Sequence, residues 1–424
     1  MPQFKPEDII IIGGGIGGLT LALALHGKGI PAIVYEAAGE IKPLGVGLNL
    51  LPHAMAQLAE LGIAEALMQK GIQTQEYCFF TRNGQLVFKE PRGRFAGYQW
   101  PQVSIHRADL HEALLNAVRQ RLGEDAVRLG HRCVDLEQTE DAVTVRFVDP
   151  AGNELPLARG KIAVACDGVH SVARVKMHPE EAVPRYEGTT QYRGTTRWPG
   201  YLSGATMYYL GTYETGKLIM YPIRNQVDAE GRQLINWVVE ISRPADQLPR
   251  DWNRESRAEE FVDSFKHCRF DWLDIPALLS AADKIYEYPM MDQEPLTFWT
   301  DGRVTLLGDA AHPMMPRGSN GAAQSIIDAT TLADLLAQSD DPRQALKDYE
   351  AERLPATSQV VLANREIAPD AILRVVEERT GGEPFKHIDD VISQAELEQW
   401  QARYKKVAGF AAEDLERASR PTPH

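Results

Sequence analysis

The stretch DIIIIGGGIGGLTLALALHGKGIPAIVYEA, from Asp8 to Ala37, constrains this chain more than any other. Ile9 to Ile12 carry no polar side chain, as a central parallel strand buried on both faces requires. Gly13, Gly15 and Gly18 follow as G-x-G-x-x-G. The first glycine permits a tight turn, the second lets backbone approach a pyrophosphate, and the third lets helix and strand pack closely. Ile16 and Gly17 open a helix predicted to run to Lys28 and to stop at Gly29. Its N-terminus offers N–H groups and the positive end of a dipole to an anion. Pro31 to Tyr35 read as the next strand, and Glu36 and Ala37 end it. A carboxylate at that point can accept both hydroxyls of an adenosine ribose. The pattern predicts nucleotide binding, and by itself it does not separate a resident FAD from a visiting NAD.

The chain has 424 residues, more than one core usually fills, so two domains are expected. From about 186 to 242 the pattern changes to TTQYRGTTRW, ATMYYLG, GKLIMYPI and QLINWVVEIS, strands with no long helix between them, which predicts an antiparallel sheet. Residues 74–89 read as a hairpin turning at Asn83-Gly84. KIAVACDG and RVTLLGD return to apolar strand, and helices dominate from 321 to about 375. The fold class expected is α/β, a Rossmann-type domain with a mostly antiparallel β-sheet domain inserted. The nucleotide domain takes 1–75, 100–185 and 287–375; the substrate domain takes 76–99 and 186–286; a C-terminal helical segment and tail take 376–424, with 386–418 charged and helical in pattern.

Lys and Arg number 45 against 59 Asp and Glu, a formal charge of −14. That argues against general nucleic-acid binding and requires a local basic patch for any anionic substrate. Cys78, Cys133, Cys166 and Cys268 lack metal spacing and read as free core thiols in a reducing compartment. Ile9 to Leu25 is apolar, but Glu7 and Asp8 precede it and no basic leader does. Its ordered glycines fit a nucleotide turn, so no membrane insertion or export is expected, and the cytoplasm is the expected location.

A second stretch, LLGDAAHPMMPRGSNGAAQSIIDA, places Asp309 at the carboxyl end of a buried strand, where ligands of open α/β sheets bind. Its carboxylate could accept from ribityl hydroxyls of FAD, or it could cap the next helix. Gly318, Gly321, Ala322 and Ala323 are small enough for a helix start to approach a flat ring. His312 invites a general-base or a positional role. Asp167, Ser171 and Arg174 could cap and pair on a helix, and Arg107 could be a surface arginine at a helix start. Tyr208, Tyr209, Tyr221 and Trp237 could line a substrate pocket, although strand aromatics more often build core. Arg193 could pair a substrate carboxylate or hold the domain interface.

GGGIGG with Glu36, CDGVHSVAR and the Asp309 stretch stand in the order found in the group A flavoprotein monooxygenases, the aromatic hydroxylases such as 4-hydroxybenzoate and salicylate hydroxylase. The chain resembles that family over most of residues 8–365. GVGLNLLPHAMAQLAELG, EPRGRFAGYQWPQVSIHRADL and GSNGAAQSIIDA resemble more narrowly the methylphenazine-carboxylate monooxygenases. The resemblance implies resident FAD, NADH or NADPH as a transient reductant, and O2 as co-substrate. It implies that Asp309 holds the ribityl chain, that Asp167-Gly168 with Arg174 serves FAD and pyridine nucleotide, and that Arg107 lies near the flavin phosphates. It further implies that Val134 touches adenine through its backbone and that Gly45 to Leu48, with Gly47 and Leu48 closest, flank the isoalloxazine. The expected reaction is hydroxylation of an aromatic or N-heteroaromatic acid, with or without decarboxylation, through a flavin C4a-hydroperoxide. No side chain is assigned as catalytic, because the cofactor carries the chemistry; the backbone of the loop from Pro316 and Gly318 to Gly321 would position the peroxide. A small aromatic substrate and a monomer or homodimer are expected. An oxidase or dehydrogenase without oxygen insertion is the alternative, ahead of a halogenase or a non-catalytic FAD carrier.

Overall fold

Ile9–Ile12 lies inside a six-stranded sheet ordered Thr300–Asp301, Val304–Leu306, Ile162–Ala165, Ile9–Ile12, Ile33–Tyr35, Val127–Arg128. All its pairings are parallel except that of the first two strands, which form an antiparallel edge. The four isoleucines are buried, as their lack of polar neighbours requires. The helix Ile16–Gly27 packs on this sheet and against Asn320–Gln338, burying Leu19, Leu21, Leu23 and Leu25. The computed structural model describes residues 4–5, 8–41, 45–181, 184–244, 254–366 and 371–407.

A second sheet has eight strands in the order Arg254–Ser256, Ile285–Asp292, Arg185–Trp198, Gln233–Ser242, Lys217–Arg224, Thr206–Leu210, Glu76–Phe80, Leu86–Pro91. It is antiparallel except where Thr206–Leu210 runs parallel to Glu76–Phe80. The predicted hairpin is present, with Gly84 at φ +80° in its turn. Ile285–Asp292 belongs here, paired with Arg185–Trp198, so residues 287–292 lie in the antiparallel sheet and not beside the nucleotide strands.

Side chains alternate across this sheet with a period of two. One face buries Tyr192, Tyr208, Leu218, Met220, Trp237 and Val239 against the helix Ile275–Ser280 and its neighbours. The other face turns toward the nucleotide sheet. At its far edge that face packs Tyr77, Phe79, Phe88 and Tyr209 against Ile372, Leu373 and Val376 of the helix Ala371–Thr380. A last helix, Gln394–Val407, lies within the segment predicted to be helical; residues 408–424 fall outside those described. Among the described residues no helix is long and apolar enough to cross a membrane.

Candidate active site

A cleft of about 890 Å³ runs from the glycine turn to the exposed face of the eight-stranded sheet. At the turn the three glycines have separate physical roles. Gly13 adopts φ +105°, and a side chain there would overlap the Cys166 carbonyl. A Cβ on Gly15 would meet no protein atom, because it would stand in the cleft, where backbone can approach a phosphate. A Cβ on Gly18 would overlap the Gly13 carbonyl, so the third glycine lets helix and strand touch. Gly18 itself does not line the cleft, whereas Gly13, Gly15, Ile16 and Gly17 do.

Glu36 and Ala37 also line it. The Glu36 carboxylate accepts from Gly14 N at 2.7 Å and from Ala38 N at 2.8 Å, which fixes its direction and leaves lone pairs for further donors. Across the cleft, Asp309 is exposed in the turn after Val304–Leu306 and makes no hydrogen bond or ion pair to described residues. It does not cap the following helix, whose N-cap Ser319 makes no side-chain cap bond either. The first turn of Asn320–Gln338 therefore presents uncapped N–H groups, with Asn320, Gly321 and Ala322 facing the cleft. Ser319 is held at φ +62°, a conformation unusual for a residue with a Cβ, and strain of that kind concentrates at binding sites.

The turn around Asp309 is held from beneath. Asp328, fully buried, accepts from Gly308 N at 3.3 Å, from His312 Nε2, and from Arg353 Nε at 2.8 Å. Burial opposes its charge, but His312 and Arg353 keep its pKa below the ordinary carboxylate value. His312 is thus buried in a structural network and does not line the cleft, which favours the positional over the general-base role. Arg174 is buried too, donating to the Ala310 and Ala311 carbonyls and paired with Glu181. Ser171 caps the Arg174 N–H, and Asp167 accepts from Val172 N at 3.1 Å. Burial raises the Asp167 pKa, and its Oδ1 has no partner. Both polar side-chain atoms of Asn320 are likewise buried without partners.

Gly47, Leu48 and Arg107 line the cleft between the sheets. Gly47 packs so closely on Asn236 that a Cβ would overlap it, and Asn236 Oδ1 accepts from Gly47 N at 2.7 Å. Val134 does not line the cleft; its neighbours Arg132 and Cys133 do.

The floor on the antiparallel sheet is built from cross-strand rows. One row is Tyr288, Gln191, Glu240 and Lys217; the next is Arg193, Val238, Ile219 and Tyr209; Tyr221 and Met207 follow. Tyr208 and Trp237 are one residue out of register with these rows and point into the opposite core, so neither lines the pocket. Tyr221 does, with burial pushing its hydroxyl up to about 12. Arg193 donates to the Gly47 carbonyl at 3.3 Å, so it touches the interface as well as the cleft. Pro316 and Gly318 lie on the rim opposite.

Sequence reasoning missed Gln191, Glu240, Lys217, Arg317 and Asn320. The signal for the first three was present: polar residues spaced by two from Arg193, or set among apolar strand residues in GKLIMYPI and NWVVEIS. Among the described residues there is no disulfide and no cluster that could hold a metal.

The unpartnered Asp167 and Asn320 atoms, the open Asp309 and the Gly15 gap follow one elongated path, which fits a dinucleotide as long as FAD. Comparison with known proteins agrees. Residues 7–364 match the FAD binding domain family. The chain is 43% identical over 370 residues to phenazine 1,6-dicarboxylic acid hydroxylase PhzS of Lysobacter antibioticus, covering 86% of this chain and 91% of that one. It is 33% identical to 3-hydroxybenzoate 6-hydroxylase of Klebsiella oxytoca, covering 86% and 88%. A salicylate hydroxylase substrate complex shares the fold with a TM-score of 0.72 at 24% identity, covering 98% of each chain. The chain belongs to the FAD-binding family of group A aromatic hydroxylases and is an FAD-dependent aromatic monooxygenase.

Proposed function

We propose that the cleft hydroxylates a fused-ring or N-heteroaromatic acid, with or without loss of a carboxylate, and that Arg193 receives a carboxylate of that substrate. The observation that carries this is the floor itself: an apolar strip of Val238, Ile219 and Tyr209 with one arginine in the same row. Such a strip suits a flat ring, and a guanidinium beside it suits a carboxylate by two parallel hydrogen bonds. The name of the Lysobacter relative points to the same class of acid.

FAD, when bound, would supply the redox chemistry of hydroxylation, with NADH or NADPH as reductant and O2 as co-substrate. The chain's part is placement. Gly15 admits the pyrophosphate, Glu36 receives the ribose, Asp309 takes the ribityl hydroxyls, and the first N–H groups of Asn320–Gln338 face the flat ring. Gly47 and Leu48 would flank that ring, and Arg107 would serve the phosphates. The Pro316 to Gly321 backbone closes the rim and keeps water from the reacting atoms. We also assign the cofactor role to 1–75, 100–185 and 293–375, and the substrate role to 76–99 and 186–292, which takes in the whole of the strand Ile285–Asp292. The enzyme is read as cytoplasmic, a monomer or homodimer, with no nucleic-acid partner.

The test is a panel of benzoate, pyridine and phenazine carboxylic acids, following NAD(P)H oxidation and oxygenated product together. Stimulated oxidation with stoichiometric product is expected from a fused-ring or heteroaromatic acid. Stimulated oxidation yielding only hydrogen peroxide across the panel would favour an oxidase.

A further inference from the structure

One residue of the glycine turn is held at both of its backbone polar groups by side chains from elsewhere. Gly14 stands between Gly13 and Gly15, at a position the G-x-G-x-x-G spacing leaves free. Its N–H donates to Glu36 at 2.7 Å, and its carbonyl oxygen lies 2.6 Å from His111 Nε2. A carbonyl only accepts, so this ring nitrogen carries the hydrogen and donates it.

His111 is 97 residues from Gly14 in sequence. It belongs to the helix Arg107–Leu122, one turn after Arg107 and therefore on the same face. That helix packs against Ile16–Gly27, which brings the ring to the turn. Arg107 lines the cleft, whereas His111, half-buried, does not. The histidine thus grips the turn without itself reaching the cleft.

The planarity of the peptide bond gives this grip a consequence. The Gly14 carbonyl and the Gly15 N–H belong to one trans unit, so the two groups point in opposite directions. With the oxygen held by a side chain outside the lining, the N–H is turned toward the cleft that Gly15 lines. Among the described residues this N–H has no hydrogen-bond acceptor. Gly15 is the N-cap of Ile16–Gly27, so its N–H joins the open N–H groups of the first helical turn. The same glycines that admit a phosphate create a hazard. A peptide between two glycines can flip at little steric cost, and the flipped unit would present its oxygen to the anion.

The geometry points to His111 as a positioning residue for FAD: by holding the Gly14 carbonyl it fixes the Gly14–Gly15 peptide with its N–H toward the pyrophosphate and excludes the flipped peptide. This rests on the reading that the pyrophosphate lies at the glycine turn. The competing role is purely structural, a tie between the helix Arg107–Leu122 and the turn.

Apoprotein is titrated with FAD, following flavin fluorescence, and is melted without it, for the wild type, His111→Gln, His111→Asn and Gly15→Ala. Glutamine can place an amide N–H near the position of Nε2, and asparagine is too short to do so. His111→Asn is expected to weaken FAD binding about tenfold or more, the worth of one hydrogen bond to a charged group. His111→Gln is expected to stay within about threefold of the wild type, and the two apoproteins to melt alike. In Gly15→Ala the methyl meets no protein atom and stands in the cleft, so FAD binding is expected to fall while the apoprotein melts like the wild type. Wild-type affinity in His111→Asn overturns the proposal, and so does a loss that His111→Gln fails to restore. Failure of His111→Asn to fold, or a loss matched by lower melting of the apoprotein, assigns the structural tie and overturns it as well. If Gly15→Ala loses FAD while both His111 variants keep it, only the role of His111 falls. If Gly15→Ala also binds FAD as the wild type does, the placement of the pyrophosphate falls with it.

Discussion

Asp309 and Asp328 flank one loop and show how burial divides two identical side chains between duties. Asp309 is open to the cleft with nothing holding it; Asp328 is sealed between His312 and Arg353. Asp309→Ala should weaken FAD binding by about 10- to 100-fold, the worth of roughly 1.5–3 kcal/mol of charged hydrogen bonding, with little change in melting of the apoprotein. Fluorescence titration with FAD measures the first and a thermal melt the second. His53 gives the pH dependence. Burial, then the charge of Arg353, holds its pKa at about 4 against 6.5. The unfolded chain therefore takes up a proton near pH 6.5, whereas the native state resists until about pH 4. Stability from this group is complete above that window and falls as pH drops through it, by about 2 kcal/mol at pH 5. His106 and His178 are shifted in the same direction, so they add to the loss. Denaturant melts at pH 7 and pH 5 should show a smaller difference for His53→Leu than for the wild type; an unchanged difference would exclude His53 as a source.

At the scale of elements, the strand, turn and helix that open the chain were fully legible. Each glycine there answers to a contact that any side chain would block. Gly18→Ala pushes a methyl into the Gly13 carbonyl, so it should cost roughly 1–3 kcal/mol or more and yield protein poor in flavin, as a denaturant melt and the flavin-to-protein absorbance ratio would read. The floor of the cleft was legible only in part. Alternation shows that Tyr208 and Tyr209 must face opposite ways, but it cannot say which way the ligand lies. That is decided when the sheet's register brings Tyr209, Ile219, Val238 and Arg193 into one row, through pairings between segments far apart in sequence. Glu240 and Lys217 each stand out as a lone charge in an apolar strand, but that they are neighbours is legible only once the pairing brings them together. The two roles left open for His312 could not be separated, because a loop's sequence does not reveal which of its residues turns inward to meet a carboxylate from the next helix.

For the whole molecule, two sheets assembled from interleaved stretches enclose one cleft, and the helix Ala371–Thr380 flanks part of its floor on the same face of the sheet. Ile372, Leu373 and Val376 pack in the same cluster as Met207, Tyr209 and Tyr221, all three of which line the cleft. Leu373→Ala should destabilise the fold by about 2–4 kcal/mol. It should also raise the KM for the aromatic substrate while the Kd for FAD stays constant; a shift in both would show a general loosening. Nothing in the residues near 373 announced this, since an amphipathic helix in sequence does not name the surface it covers. The arrangement lets the shape of the reaction chamber be adjusted from its edge. Changes in the chain's final helices, none of whose described residues lines the chamber, can act as shims beside its tyrosines and so widen or narrow the range of acids admitted while the coenzyme's seat stays as it is.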